Sequence, residues 1–280
     1  MPAVVVRNEA GDRFDALAER IEAIAVETLP LVEAVTGLPL PDPVVIRTMT
    51  VRNWTREHRR STKRLLLSET EQLSPSFRDM RAAALLRKGR LKTHRKLWPA
   101  IGGQAVLFEP GQPELVFLPE ALRHGDRLED TPFLNKALAH EQTHLAQYVA
   151  SDGAAWAAQD TFYPALRGVA GLAYGLLHEG HAYWADQQIT TKIFGEPVTT
   201  DEASPHASAR FLKVFASPQR LAAGELYRRA VDNVARIINA EGLDAFNAVW
   251  TTPDLVPTAG EAADGLATWP ARFAGPGVTA

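Results

Sequence analysis

The sequence predicts a predominantly helical α+β fold with one small sheet, on three observations. Several long stretches carry apolar residues three and four positions apart, the spacing of amphipathic helices. Only a few short runs, at 44–51 and within 104–119, have the look of strands. No repeat or low-complexity linker divides the 280 residues, so 1–280 reads as a single domain able to bury a substantial core.

Taken in order, residues 13–29 set Phe14, Leu17, Ile21, Ile24 and Ala25 at helical spacing with charges between them, which predicts the first helix. Pro30 and the 37–43 stretch are read as its end, and VVIRTMTV at 44–51 as a strand. Residues 52–97 hold fourteen Lys or Arg against four Asp or Glu, as one or two helices broken near Ser74 and Pro75. Residues 98–280 hold twelve basic and twenty-one acidic residues, so a basic helical arm is joined to an acidic body.

Within that body, QAVLFEPGQPELVFLP at 104–119 predicts a β-hairpin around a Pro-Gly-Gln-Pro turn. Thr131 and Pro132 suit the first positions of a helix running to about 150. A second helix is expected over 164–193, ended by Gly195 and Pro197, and a third over 217–240, closed by Gly242.

Composition removes several functions. Cysteine is absent, so disulfides and thiolate metal sites are excluded, and any metal must use His, Asp or Glu. The net charge of −3 does not mark a nucleic-acid or membrane binder. The longest apolar run, at 168–177, is too short to span a bilayer and predicts a buried helix. The N-terminus has no basic segment followed by a sustained apolar one, which predicts a cytoplasmic protein. The charges of 52–97 are expected to face water or pair with the acidic body. A nucleic-acid partner there is the weaker reading, because Trp54, Phe77 and Trp98 lack the interleaving of a single-strand binder.

The chemistry-bearing segment is HEQTH at 140–144. Residues four apart share a helix face, so His140 and His144 can reach one metal ion. Glu141 sits about 100° around the helix, free to take a proton from a water on that metal. A hydrolytic zinc site keeps three protein ligands and one open position. Glu179, in LLHEGHAYWAD, is the best candidate for the third, with His178 and His181 as rivals. Gly180 and Ala182 would let that helix approach the HEQTH helix closely. Asp186, two turns beyond Glu179, is placed to accept a hydrogen bond from the far nitrogen of a ligating histidine. His181 and Tyr183 are candidate oxyanion donors.

HEQTHLAQY at 140–148, EGHAYWAD at 179–186 and FNAVWTTPDLVPTAGEAADGLATWPARF at 246–273 together resemble a family of zincin-like metallopeptidases found mainly in actinobacteria. That family is often labelled by its association with deazaflavin coenzyme biosynthesis. The resemblance spans roughly residues 100–273. It implies a zincin-like domain whose small sheet lies beside the HExxH helix, and a gluzincin-like site with Zn2+ on His140, His144 and Glu179 and Glu141 as general base. Two positions depart from the family pattern. Gln142 replaces an apolar residue, which predicts looser packing of the helix, and nothing is carried over for Tyr183 and Trp184.

The resulting expectation is a zinc-dependent metallohydrolase that cleaves an amide of a peptide, a protein or a small biosynthetic molecule, with the metal-site core at 100–250. The alternative is a zincin-fold scaffold whose basic arm at 52–97 docks an acidic partner.

Overall fold

A computed structural model describes residues 2–274. Its four-stranded sheet has the order β1-β2-β4-β3, with β1 (Val4–Glu9), β2 (Val44–Met49), β3 (Gly103–Glu109) and β4 (Gln112–Phe117). β1, β2 and β4 run parallel, and β3 returns antiparallel to β4 as the predicted hairpin. β3 therefore forms one edge of the sheet.

Helix α1 (Asp15–Thr36) joins β1 to β2. α2 (Val51–Leu73) and α3 (Phe77–Leu97) form the basic segment, turning where Ser74 adopts a left-handed conformation. After β4 come α4 (Pro119–His124), α5 (Thr131–Ala150), α6 (Ala154–Asp160) and α7 (Tyr174–Phe194). Then follow α8 (Ala209–Phe215), α9 (Pro218–Glu241), α10 (Leu243–Asn247) and α11 (Ala259–Ala263). The fold is predominantly helical α+β, as the apolar spacing predicts.

Strand alternation divides the core in two. Val44, Ile46, Leu115 and Phe117 face one way and pack with α1, α5, α7 and α9 in the main cluster. Val106, Phe108, Val116 and Leu118 face the other way and pack with Trp54 of α2. Among the described residues no helix is long and apolar enough to cross a membrane.

Three sequence expectations need correction. Pro30 lies inside α1, which runs to Thr36 and stops at the left-handed Gly37. A proline here leaves the Val26 carbonyl without its helical donor, but Pro30 and Val26 are both exposed, so water can satisfy it. β1 is an additional strand, stabilised by β2 pairing across the intervening helix. Residues 164–173 are not helical, because Gly168 and Gly171 take φ values of 70° and 89°. α7 consequently begins only at Tyr174.

The C-terminal segment secures that late start. The backbone amide of Ala173 donates to the Pro257 carbonyl at 2.6 Å, and that of Ala259 to the Gly171 carbonyl at 2.6 Å. The turn itself is held by a capping box between Thr258 and Glu261, with Arg272 paired to Glu261 at 2.9 Å. Trp269 Nε1 donates to the Leu255 carbonyl at 2.7 Å, so Trp269 and Arg272 both hold the segment that meets the start of α7.

Candidate metal centre

α5 begins with Asp130 as its cap, whose side chain accepts from the Phe133 amide at 2.9 Å, and continues unbroken through HEQTH. His140 and His144 project from one face, ring centroids 4.8 Å apart. α7 crosses alongside and brings Glu179 to them. Glu179 Oε2 is 3.4 Å from His140 Nε2, and its Oε1 is 3.8 Å from His144 Nε2. One ligand atom from each of the three residues lies within 4.8 Å of the others. A tetrahedral ion with bonds of about 2.0–2.1 Å would hold its ligand atoms about 3.4 Å apart, so the cluster is close to ligating geometry.

The hydrogen bonding of the imidazoles fits the same use. His140 Nδ1 donates to Asp186 Oδ2 at 3.0 Å, and His144 Nδ1 to Gln147 Oε1 at 2.9 Å. Both Nε2 atoms face the shared centre while the Nδ1 atoms are engaged, the orientation a ligating histidine needs once Nε2 gives up its proton. Asp186 is fully buried and also pairs with Lys136. Lys136 lies one turn before His140 on α5, and Gln147 nearly one turn after His144. Helical spacing alone could have nominated both residues.

Electrostatics reinforce the arrangement. Burial disfavours a charged His140, but hydrogen bonds to Asp186 and Glu179 outweigh it and lift its pKa to about 10. Burial pushes the Glu179 carboxyl up, and the His140 hydrogen bond with the nearby histidines outweighs it, bringing the value down to about 2. The cluster thus pairs an ionised carboxylate with the positive charge of His140, a charge that a divalent cation could take over.

Glu141 is held apart from this cluster. Its Oε2 accepts the backbone N–H of Ala105, on the β3 edge, at 2.7 Å. Close contact requires glycine nearby, since a Cβ at Gly103 would meet Phe117 at 3.0 Å and Glu141 Cγ at 3.2 Å. Burial raises the Glu141 pKa, the direction a proton acceptor near neutral pH requires.

His178 and His181 do not join the cluster. His178 packs against Trp250 with its Nδ1 on Gln159, and His181 lies against Trp184 and Phe246 with its Nδ1 accepting from Gln147. Burial lowers the pKa of each to about 3. Both are buried. Tyr183 does border it, its ring 4.5 Å from His140. Tyr227 of α9, which the sequence does not single out, stands 5.9 Å from the Tyr183 ring, and burial with the Glu179 charge pushes its pKa up to about 12.

Two packing expectations change. The close approach at Gly180 is to α9, where an added Cβ would stand 2.7 Å from the Ala230 Cβ, rather than to α5. Gln142 tightens the helix packing instead of loosening it. Fully buried, it donates to the Ala25 carbonyl at 3.0 Å and its oxygen meets the Thr28 hydroxyl at 2.8 Å, tying α5 to α1.

Comparison with known proteins extends the fold assignment. No protein-family model matches the chain, and no curated protein does. A solved structure from Chloroflexus aurantiacus, described as a putative hydrolase with a novel fold, is similar over 94% of this chain and 92% of its own. The TM-score is 0.57 and the sequence identity 18%. At that identity the likeness concerns the fold alone.

Proposed function

We propose that this chain is a zinc-dependent metallohydrolase of the gluzincin kind, cleaving an amide bond, foremost a peptide bond. The observation carrying this reading is the convergence of His140, His144 and Glu179, with both Nδ1 atoms engaged and Glu141 held just outside the ligand group. The hydrolase description of the Chloroflexus structure agrees with it.

Zinc bound there would supply a Lewis acid and lower the pKa of a water it holds. The protein's residues perform the remaining tasks. Glu141, elevated in pKa by burial, accepts the proton of the attacking water and returns it to the leaving amine. Asp186 and Gln147 fix the histidine rings. As an edge strand, β3 offers a line along which an extended substrate can align.

The test compares Glu141→Ala with His144→Ala. The first variant is expected to retain zinc by elemental analysis and lose cleavage of a broad peptide library. The second is expected to lose both. Full hydrolysis by the Glu141 variant would refute the assignment of the base.

A further inference from the structure

Beside His140 and Glu141 opens a cavity of about 220 Å³. Its walls include Leu122, Phe133, Phe211 and Phe215, an apolar part that stands beside a polar part of about equal extent. Three cations also line it: Arg127, Lys136 and Arg220.

Two of these cations are already neutralised. Arg127 pairs with Asp130, and Lys136 with Asp186. Arg220 is different. Among the described residues no carboxylate comes within ion-pair distance of it, and its guanidinium makes one long hydrogen bond, 3.4 Å, to the Phe215 carbonyl. The guanidinium lies 3.8 Å over the Phe215 ring, which orients its plane. Tyr183 and Asp201 act on it only through space. Arg220 is half-buried, which lowers its pKa. Tyr183, whose ring lies 4.5 Å from the His140 ring, lines the same cavity.

We infer that Arg220 is a substrate-binding residue, and that this cavity takes a carboxylate borne on an apolar or aromatic group. A planar guanidinium with free donors matches a carboxylate in two parallel hydrogen bonds, and the phenylalanines receive the attached side chain. The inference rests on the metallohydrolase reading for its consequence: the bond cleaved would lie beside a carboxylate-bearing residue. The carboxylate can be a peptide's chain end or an acidic side chain.

The experiment measures binding, not turnover, by calorimetry on the full chain with and without added zinc. The first probe pair is N-acetylphenylalanine and its neutral amide. Wild type is expected to bind the acid about ten- to a hundredfold more tightly than the amide, and Arg220→Gln to bind the two alike. Arg220→Lys is expected to keep part of the preference. Equal binding of acid and amide by wild-type protein overturns the inference, and so does a preference that survives in Arg220→Gln, which would belong to the metal. If Arg220→Gln does not fold, the acid–amide comparison on zinc-free wild-type protein decides alone. The α-amide of N-acetylglutamic acid, bound more or less tightly than N-acetylphenylalanine, identifies the source of the carboxylate. A preference lost in Arg220→Gln in a protein that binds no zinc would refute the metallohydrolase reading and leave the pocket standing. Zinc-dependent cleavage with no effect of Arg220→Gln would do the reverse.

Discussion

Replacing Asp186 with Asn tests the support of the proposed metal centre most directly. The carboxylate is fully buried and holds two partners, the Lys136 ammonium and His140 Nδ1 at 3.0 Å. Asparagine has the same shape but no charge, and its amide can accept through only one oxygen. Lys136, with 8% of its side chain exposed, would be left as a buried cation without a counter-ion. Breaking a buried pair in this way costs about 3–5 kcal/mol, and at about 2 °C per kcal/mol in a chain of this size the Tm should fall roughly 6–10 °C. The loosened His140 ring should weaken zinc binding about 10–100-fold. Thermal unfolding and competition with a chromophoric chelator measure the two effects. Adding Lys136→Met to the variant removes the orphaned charge, so stability should largely return while zinc affinity stays low. A Tm within 2 °C of wild type together with zinc affinity within about twofold would refute this account of the network.

Two further outcomes follow from packing and burial. In Gly180→Ala the gain of about 1 kcal/mol in helix propensity meets overpacking against Ala230, worth about 1–3 kcal/mol, so the variant should be less stable. Gly224→Ala in α9, where an added Cβ meets nothing within 4 Å, should gain stability instead; equal gains in both variants would sink the packing argument. His58 is held neutral, its pKa lowered to about 3 by burial and by neighbouring His94, itself lowered by burial and Arg90. Because the unfolded chain takes up this proton near pH 6.5 and the folded one only near pH 3, stability should fall as pH drops through that window. His58→Gln, which can keep the bond to Gln104, should make the urea midpoint depend less steeply on pH between 6.5 and 4; an unchanged slope would exclude His58 as a source.

The part of the site carried on one helix was legible in the sequence. HEQTH needs only helical spacing, and α5 runs from Thr131 to Ala150 as the apolar pattern predicts. Glu179 and Asp186 could be nominated because both lie on α7, two turns apart. What joins them to α5 was not legible. Gly180 is small for the sake of α9, and Gln142 is polar because a threonine and a helix carbonyl await it in α1. Such reasons reside in the partner element, which periodicity along one segment cannot reveal. Arg220 was hidden similarly, as a basic residue at a helix start with no motif. The strand β1 was missed because six residues with an exposed edge carry little signal without β2 beside them.

The seam between α2 and β3 has a further consequence. Trp54 Nε1 and His58 Nε2 both reach Gln104 Oε1 at 3.2 Å, and the next residue along the strand, Ala105, holds Glu141. The basic helices therefore fall into two regimes of tolerance. On the strand side, a change at Trp54 or His58 displaces Gln104, the neighbour of the residue whose amide holds Glu141, the proposed proton acceptor. On the water side, where Phe77 and Leu85 are exposed, the helices can drift in charge and length without that penalty. Proteins that differ widely across this outer surface could therefore share one chemistry, while a single substitution at the seam could silence it.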